Sequence, residues 1–206
     1  MENFSFLRNR YWVLRHGKSI PNERGLIVCS MENGMLNEYQ LASEGVNQAQ
    51  IAGEAFKKEL KENNIPLENV RICYSPFSRT THTAKVVASI LNLPFEGPRC
   101  KYAEIWALDE KDPFMRPDCG ESVADVVYRL TTAIITMEAE FEGCAILVVS
   151  HGDPLQILQT VLHATNKNAG STGTDLLSRI EAIKVPSILS QHRKYALLTG
   201  ELRQII

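Results

Sequence analysis

No stretch of this 206-residue chain stays apolar over the ~18 residues that a membrane-spanning helix needs. Its first residues, Met1-Glu2-Asn3-Phe4-Ser5-Phe6-Leu7-Arg8, lack the basic start and apolar core of a secretory signal and do not read as an Arg- and Ser-rich transit peptide. Excess positive charge is missing as well. Twenty-two Lys and Arg against 24 Asp and Glu leave a formal net charge of −2, which gives no basic field for nucleic acid. Cysteines are few and scattered: the five, Cys29, Cys73, Cys100, Cys119 and Cys144, are odd in number and form no Cys-x-x-Cys pair. That excludes a disulfide framework or a zinc knot. Cys73 and Cys144 lie in apolar runs and read as buried thiols. These absences predict a cytoplasmic protein with neither a membrane nor a nucleic-acid partner. Repeats and linkers are also lacking, so residues 1–206 are read as a single domain; 44% hydrophobic and 22% charged residues suffice for an ordinary globular core.

What is present begins with Tyr11-Trp12-Val13-Leu14, a short apolar run of strand-favouring residues that stops at Arg15-His16-Gly17. Residues 19–40 read as a long loop, and loops of that length usually carry function. Val46, Ala49, Ala52, Phe56 and Leu60 then repeat at helical spacing, closed by Asn63-Asn64 and Pro66. Val70 to Tyr74 is a second strand. It is followed by Ser75-Pro76-Phe77-Ser78-Arg79 and a helix marked by Ala84, Val87, Ala88 and Leu91. Arg79 falls in that helix's first turn, where the dipole disfavours a cation. Either it serves an anion or it pairs with a neighbouring acid. Leu93-Pro94-Phe95 is read as a third, short strand. Residues 99–118 are irregular. Ser122 with Asp125 fits a capped helix start, and the stripe Val123, Val127, Leu130, Ile134, Met137 and Phe141 continues it. Cys144 to Val149 shows no alternation, the signature of a central strand buried on both faces. After Ser150-His151-Gly152 come Asp153 as helix cap and Pro154 at the first helical position. His163 is read as a surface residue near that helix's end, and residues 165–174 as a polar loop. Residues 179–188 and 195–198 are read as two more sheet segments, with the basic turn Gln191-His192-Arg193-Lys194 between them.

Two strands thus end in His-Gly, Arg15 adjoins one of them, and Arg79 follows a third. In a parallel sheet these ends share one edge, the edge where ligands bind. Two imidazoles, two guanidinium groups and nearby helix N-termini suit a phosphoryl group: the arginine fork matches its oxygens, helix N–H groups attract anions, and a neutral imidazole can attack phosphorus. Two histidines beside two arginines make a poor cation site, and no carboxylate sits at ligand spacing, so no metal is expected. The absence of Gly-x-Ser-x-Gly argues against a serine nucleophile.

Arg15-His16-Gly17, Ser75-Pro76-Phe77-Ser78-Arg79-Thr80 with Thr83-Ala84, and Ser150-His151-Gly152-Asp153 resemble the motifs of the histidine phosphatase superfamily, the phosphoglycerate mutase-like fold. Leu41 to Ala49 resembles its first-helix signature and Gly120-Glu121-Ser122 its Gly-Glu-Ser turn. The matches keep the family's order. The resemblance implies a three-layer α/β/α sandwich with a mostly parallel central sheet and a phosphomonoesterase that needs no cofactor and takes a small phosphorylated substrate. It implies His16 as the nucleophile that becomes phosphohistidine, and Arg15, Arg79 and His151 around the transferring group. Asn22 matches a phosphate-contacting Asn, and Gly152 joins the phosphate-binding set. The proton donor falls to Glu104, with Glu110 and Asp109 as alternatives. The chain departs from the family at Lys18, where Glu or Gln is usual, and at Leu41-Ala42, where Leu-Thr is common. It departs again between Cys100 and Asp118, which contains no glycine and reads as shortened. That shortening keeps two other readings open: a phospho-ligand binder with an impaired site, or a mutase-type phosphotransferase.

Overall fold

A computed structural model describes residues 7–95, 123–167 and 176–205. Four strands form one sheet: β1 (Arg10–Arg15), β2 (Val70–Tyr74), β3 (Ala145–Ser150) and β4 (Leu202–Gln204), in the order β2-β3-β1-β4. β1 and β2 flank β3 and run parallel to it, while β4 lies antiparallel on the outer side of β1. The register pairs Arg15 with Ser150 and Tyr74 with Val149, so three parallel strands end at one level.

Every residue of β3 is buried, as its unbroken apolar run predicts for a central strand. The pleat divides the strand residues between two cores. Tyr11, Val13, Cys73, Ile146 and Val148 face one side, and Trp12, Leu14, Tyr74, Leu147 and Val149 face the other. The second face is covered by α3 (Ser43–Glu62) and α4 (Ser78–Ile90) through Phe56, Leu60, Ala84, Val87 and Leu91. The first face is covered by α5 (Val123–Glu140), α6 (Gly152–Lys167) and α7 (Leu176–Ala182) through Leu130, Ile134, Met137, Leu155, Leu158 and Ile180. The result is the three-layer α/β/α arrangement. Each large aliphatic or aromatic side chain so buried contributes about 1.5–3 kcal/mol.

Residues 19–40, read as a loop, contain two one-turn helices, α1 (Ile20–Glu23) and α2 (Met31–Gly34), and a 3₁₀ turn at Asn37–Tyr39. Ser19 and Ser30 cap the two helices, which explains short helices in a stretch without apolar period. The ends of this excursion are pinned together: Ile20 N–H donates to Gln40 O and Ala42 N–H to Lys18 O, both at 3.0 Å.

Three expectations fail. Leu93-Pro94-Phe95 is not a strand. Leu93 N–H closes α4 by donating to Ala88 O, Pro94 has no N–H to offer, and Phe95 stacks on Tyr74. Residues 179–188 are not strand but the end of α7, a turn at 183–185 and the start of α8 (Pro186–Leu189): Ile180 and Ile183, three apart, both enter the core. Residues 195–198 make no ladder because their carbonyls accept from side chains, Tyr195 O from Gln159, Ala196 O from Arg203 and Leu197 O from Arg15. The true last strand is β4, which the sequence reading passed over. The basic turn is a 3₁₀ helix (His192–Tyr195), and His163 is half-buried with its ring stacked on Tyr195. Ser122 and the loop beyond Lys167 lie outside the described residues.

Gly17 and Gly45 hold the end of β1 against the start of α3. A Cβ on Gly45 would stand 2.0 Å from Lys18 O, and one on Gly17 2.3 Å from Gly45 O. We predict that Gly45→Ala lowers stability by about 1–3 kcal/mol, the cost of overpacking against main chain. Ser43→Ala, exposed on the same helix, should stay within about 0.5 kcal/mol of wild type. Urea midpoints decide it: a Gly45→Ala midpoint equal to that of Ser43→Ala contradicts the contact.

Candidate active site

His16, Ser75 and His151 are each the first residue beyond a parallel strand, and the sheet register brings them side by side. His16 N–H continues the ladder to Ser150 O at 3.0 Å, and Ser75 N–H to Val149 O at 3.1 Å. The two imidazoles meet edge to face with ring centroids 5.3 Å apart. His151 Nε2 is in hydrogen-bond contact with Ser75 Oγ at 3.0 Å, and its ring packs 5.1 Å from Phe77.

The buried His16 ring is oriented by its own loop. Nδ1 lies 2.8 Å from Gly17 O, and since a carbonyl only accepts, Nδ1 carries the proton and Nε2 the lone pair. Gly17 N–H in turn donates to Thr83 Oγ1, whose hydroxyl donates to Arg79 O, tying the first motif to α4.

Both guanidinium groups are half-buried and held by main-chain carbonyls. Arg15 Nη1 donates to Leu197 O at 2.7 Å, and Arg79 Nη2 to Val28 O at 3.2 Å while lying over the Phe77 ring at 4.8 Å. Among the described residues neither has a carboxylate partner; Arg15 Nε is buried without any hydrogen bond. The two readings of Arg79 given above stand against this: among the described residues no acid pairs with it. Among the described residues no carboxylate compensates the positive charge that the arginines place beside two imidazoles. Burial, opposed by the Gly17 hydrogen bond and reinforced by Arg79 and Arg15, pushes the His16 pKa down to about 3. Desolvation first, then Arg79, His16, Arg129 and Arg15, hold His151 well below the usual imidazole range. Burial lowers Arg79 to about 10, which leaves it charged at neutral pH.

α6 begins at Gly152, two residues earlier than Asp153 as cap and Pro154 as first helical residue predict, so those two sit in its first turn. A Cβ on Gly152 would rest 3.7 Å from Arg15 Cζ, an ordinary contact, so the position brings Arg15 close without requiring glycine. Asn22 is exposed in α1. Its Oδ1 accepts from Ser19 N and Ser19 Oγ, leaving Nδ2 as the end able to face an anion. Glu104, Glu110 and Asp109 lie outside the described residues, as does Gly120-Glu121-Ser122. Sequence reasoning missed four groups around the site. Ser75 is an unremarkable serine until the register sets it against His151. The carbonyls of Val28 and Leu197 carry no side-chain signal. Arg129 on α5 is buried and adds positive charge near His151. Among the described residues no group of three His, Cys, Asp or Glu could hold a metal ion, and no helix is long and apolar enough to cross a membrane.

The fold and the paired histidines at the sheet edge define a phosphoglycerate mutase-like α/β/α protein. The model of the histidine phosphatase superfamily (branch 1) matches residues 92–179, a span that holds His151 and Gly152. No curated protein matches by sequence. Among solved structures, a putative alpha-ribazole-5'-P phosphatase from Escherichia coli is 19% identical, with TM-score 0.56, over 94% of this chain and 88% of that one. A phosphoserine phosphatase from Entamoeba histolytica, solved with 3-phosphoglyceric acid, is 18% identical, with TM-score 0.56, over 96% and 90%. A mycobacterial glucosyl-3-phosphoglycerate phosphatase is 20% identical, with TM-score 0.53, over 95% and 88%. The chain is similar to the histidine phosphatase superfamily, in its fold throughout and in its sequence over residues 92–179.

The depressed imidazoles make stability pH-dependent. Both take up protons less readily in the folded chain than when unfolded. Below about pH 6.5 the unfolded chain therefore binds more protons, and stability falls as pH falls, by up to about 1.4 kcal/mol per pH unit for each histidine. For His16 the loss runs on to about pH 3. Nitrogen-15 NMR should find the His16 ring neutral, with the proton on Nδ1, from pH 7 down to 5. A His16 titration midpoint between 6 and 7 contradicts this.

Proposed function

We propose that this chain, as one domain, is a phosphomonoester hydrolase that works through a phosphohistidine on His16. The observation that carries the reading is the His16 ring: buried, neutral, with Nδ1 fixed on Gly17 O and a lone pair at Nε2, beside two guanidinium groups that no described acid neutralises. A dianion supplies the missing negative charge. A phosphatase rather than a mutase is favoured by the names of the similar structures, which are phosphatases of small phosphorylated molecules. The five cysteines, odd in number and scattered without a Cys-x-x-Cys pair, suit a reducing cytoplasm.

In this reading Arg15 and Arg79 hold the phosphoryl oxygens, with the N-termini of α4 and α6 adding favourable dipoles. His16 Nε2 attacks phosphorus, the N–P bond forms and the P–O ester bond breaks. The departing alcohol oxygen takes a proton from an acid, a role the family resemblance gives to Glu104. Water then attacks phosphorus, its proton passes to the carboxylate left behind, and the N–P bond breaks to release inorganic phosphate. His151, fixed by Ser75 and kept neutral, donates to the transferring group without adding charge to His16. Charge in flight is met by groups already in place, the main source of rate in such chemistry.

Incubation with a 32P-labelled phosphomonoester should label the protein with an acid-labile, alkali-stable adduct that His16→Ala abolishes. Arg79→Met should lower kcat/KM by roughly 10²–10³, as expected for removing one transition-state contact. Glu104→Gln should cost roughly 10²–10⁴ on an alkyl phosphate and far less on an activated aryl phosphate, whose leaving group needs no proton. Absence of both label and phosphate release, with phosphate still bound, would favour a binding protein instead.

A further inference from the structure

Each arginine of the site is held by a carbonyl from an irregular segment, and both segments carry large apolar side chains in water. Val28 O holds Arg79, and next to it Leu26 is 50% and Ile27 93% exposed. Leu197 O holds Arg15, and the adjoining Leu198 is 75% exposed. Farther along the first segment, Met35 and Leu36 are also exposed. Met35 O accepts from Ser78 Oγ, one residue before Arg79. Of the eleven large apolar side chains exposed among the described residues, these segments hold five. Single exposed apolar residues need no explanation; their concentration on the two segments that grip the anion-binding cations does.

The charges on the same segments do not offer a second anion site. Glu23, Arg24, Glu32 and Glu38 are of mixed sign and mostly acidic. Lys18 is paired with Glu44, and Glu201 with Arg203. The exposed Arg193 and Lys194 belong to the 3₁₀ helix that precedes the second segment, whereas on Leu26, Ile27 and Leu198 an apolar alcohol finds side chains that gain by being covered.

We propose that the phosphomonoester this site takes has an apolar alcohol portion, an alkyl or aryl group, which covers Ile27, Leu26 and Leu198 while its phosphate sits between Arg15 and Arg79. The proposal rests on the reading of the site as a phosphomonoester site and names its substrate class. The occupant is argued from continuity: a group esterified to a phosphate held by both guanidinium groups starts beside the two segments whose carbonyls hold them. Burial is worth about 0.8 kcal/mol for each CH₂ covered, so two or three methylenes give a tenfold preference or more.

The test compares n-hexyl phosphate with glycerol 3-phosphate, below micelle-forming concentrations. Hexanol is the poorer leaving group, so any preference for it comes from binding. The native protein should show kcat/KM at least tenfold higher for n-hexyl phosphate. Ile27→Asn with Leu198→Asn should remove most of that preference and leave glycerol 3-phosphate within twofold of native. The same pair of proteins is titrated with n-hexylphosphonate and methylphosphonate by calorimetry, which needs no turnover. A tenfold preference for the hexyl compound without any hydrolysis keeps this inference and overturns the hydrolase reading. Hydrolysis of both esters with equal kcat/KM, and equal phosphonate affinities, overturns this inference and keeps the hydrolase. A native dimer that the double variant converts to monomer, with selectivity unchanged, also overturns it, because the apolar patch then serves a second copy of the chain.

Discussion

The in-register parallel pairing of β1 and β2 on either side of β3 is the constraint from which the site follows. A parallel ladder sets the level of each strand relative to its neighbour, and a slip of one residue would turn every side chain to the opposite face. Tyr11 and Trp12, alternately facing two separate cores, make such a slip expensive. With the register fixed, the residue after each strand has no freedom of height. His16, Ser75 and His151 therefore meet although they are separated by long stretches of sequence. Gly17 against Gly45, and Thr83 bridging Gly17 and Arg79, then lock the surrounding loops to the same edge.

At that edge the chain holds two guanidinium charges without a described carboxylate to balance them, an arrangement that costs folding free energy. Half-buried cations lose hydration, and carbonyl hydrogen bonds return only part of it. The neighbouring imidazoles respond by staying neutral. The same positive field that disfavours their protonation favours an anion, and the proposed dianion site rests on that field. A neutral ring is also the form that can act as a nucleophile. The electrostatics of binding and the protonation state needed for chemistry thus come from one cause.

Much of this was legible in the residues. β1, β2 and β3 are short apolar runs with clear ends, and α3, α4 and α5 carry long stripes at helical spacing. The site histidines and arginines could be picked out because charged or titratable residues placed directly after buried strands are chemically conspicuous. The C-terminal region was not legible. β4 is only Leu-Arg-Gln, too short and too polar for a pattern, and it exists because β1 has a free edge. Residues 179–188 contain the β-branched residues of a strand, yet Ile180 and Ile183, three apart, both enter the core, which local propensity does not foresee. Tyr195 ends a 3₁₀ helix and residues 196–198 follow it, with the carbonyls of 195–197 taken by Gln159, Arg203 and Arg15, partners that only the tertiary fold supplies. Within the site, Ser75 and the carbonyls of Val28 and Leu197 belong to the same category. Glu104 rests on the family resemblance and lies outside the described residues.

A crystal structure of the protein soaked with orthovanadate probes the central idea most directly, because vanadate takes up the five-coordinate geometry of phosphoryl transfer. Vanadium bonded to His16 Nε2, with its equatorial oxygens met by Arg15 and Arg79 and by His151, is the result expected. Vanadate bonded to another residue, or absent from the ends of β1 and β3 at saturating concentration, would contradict it.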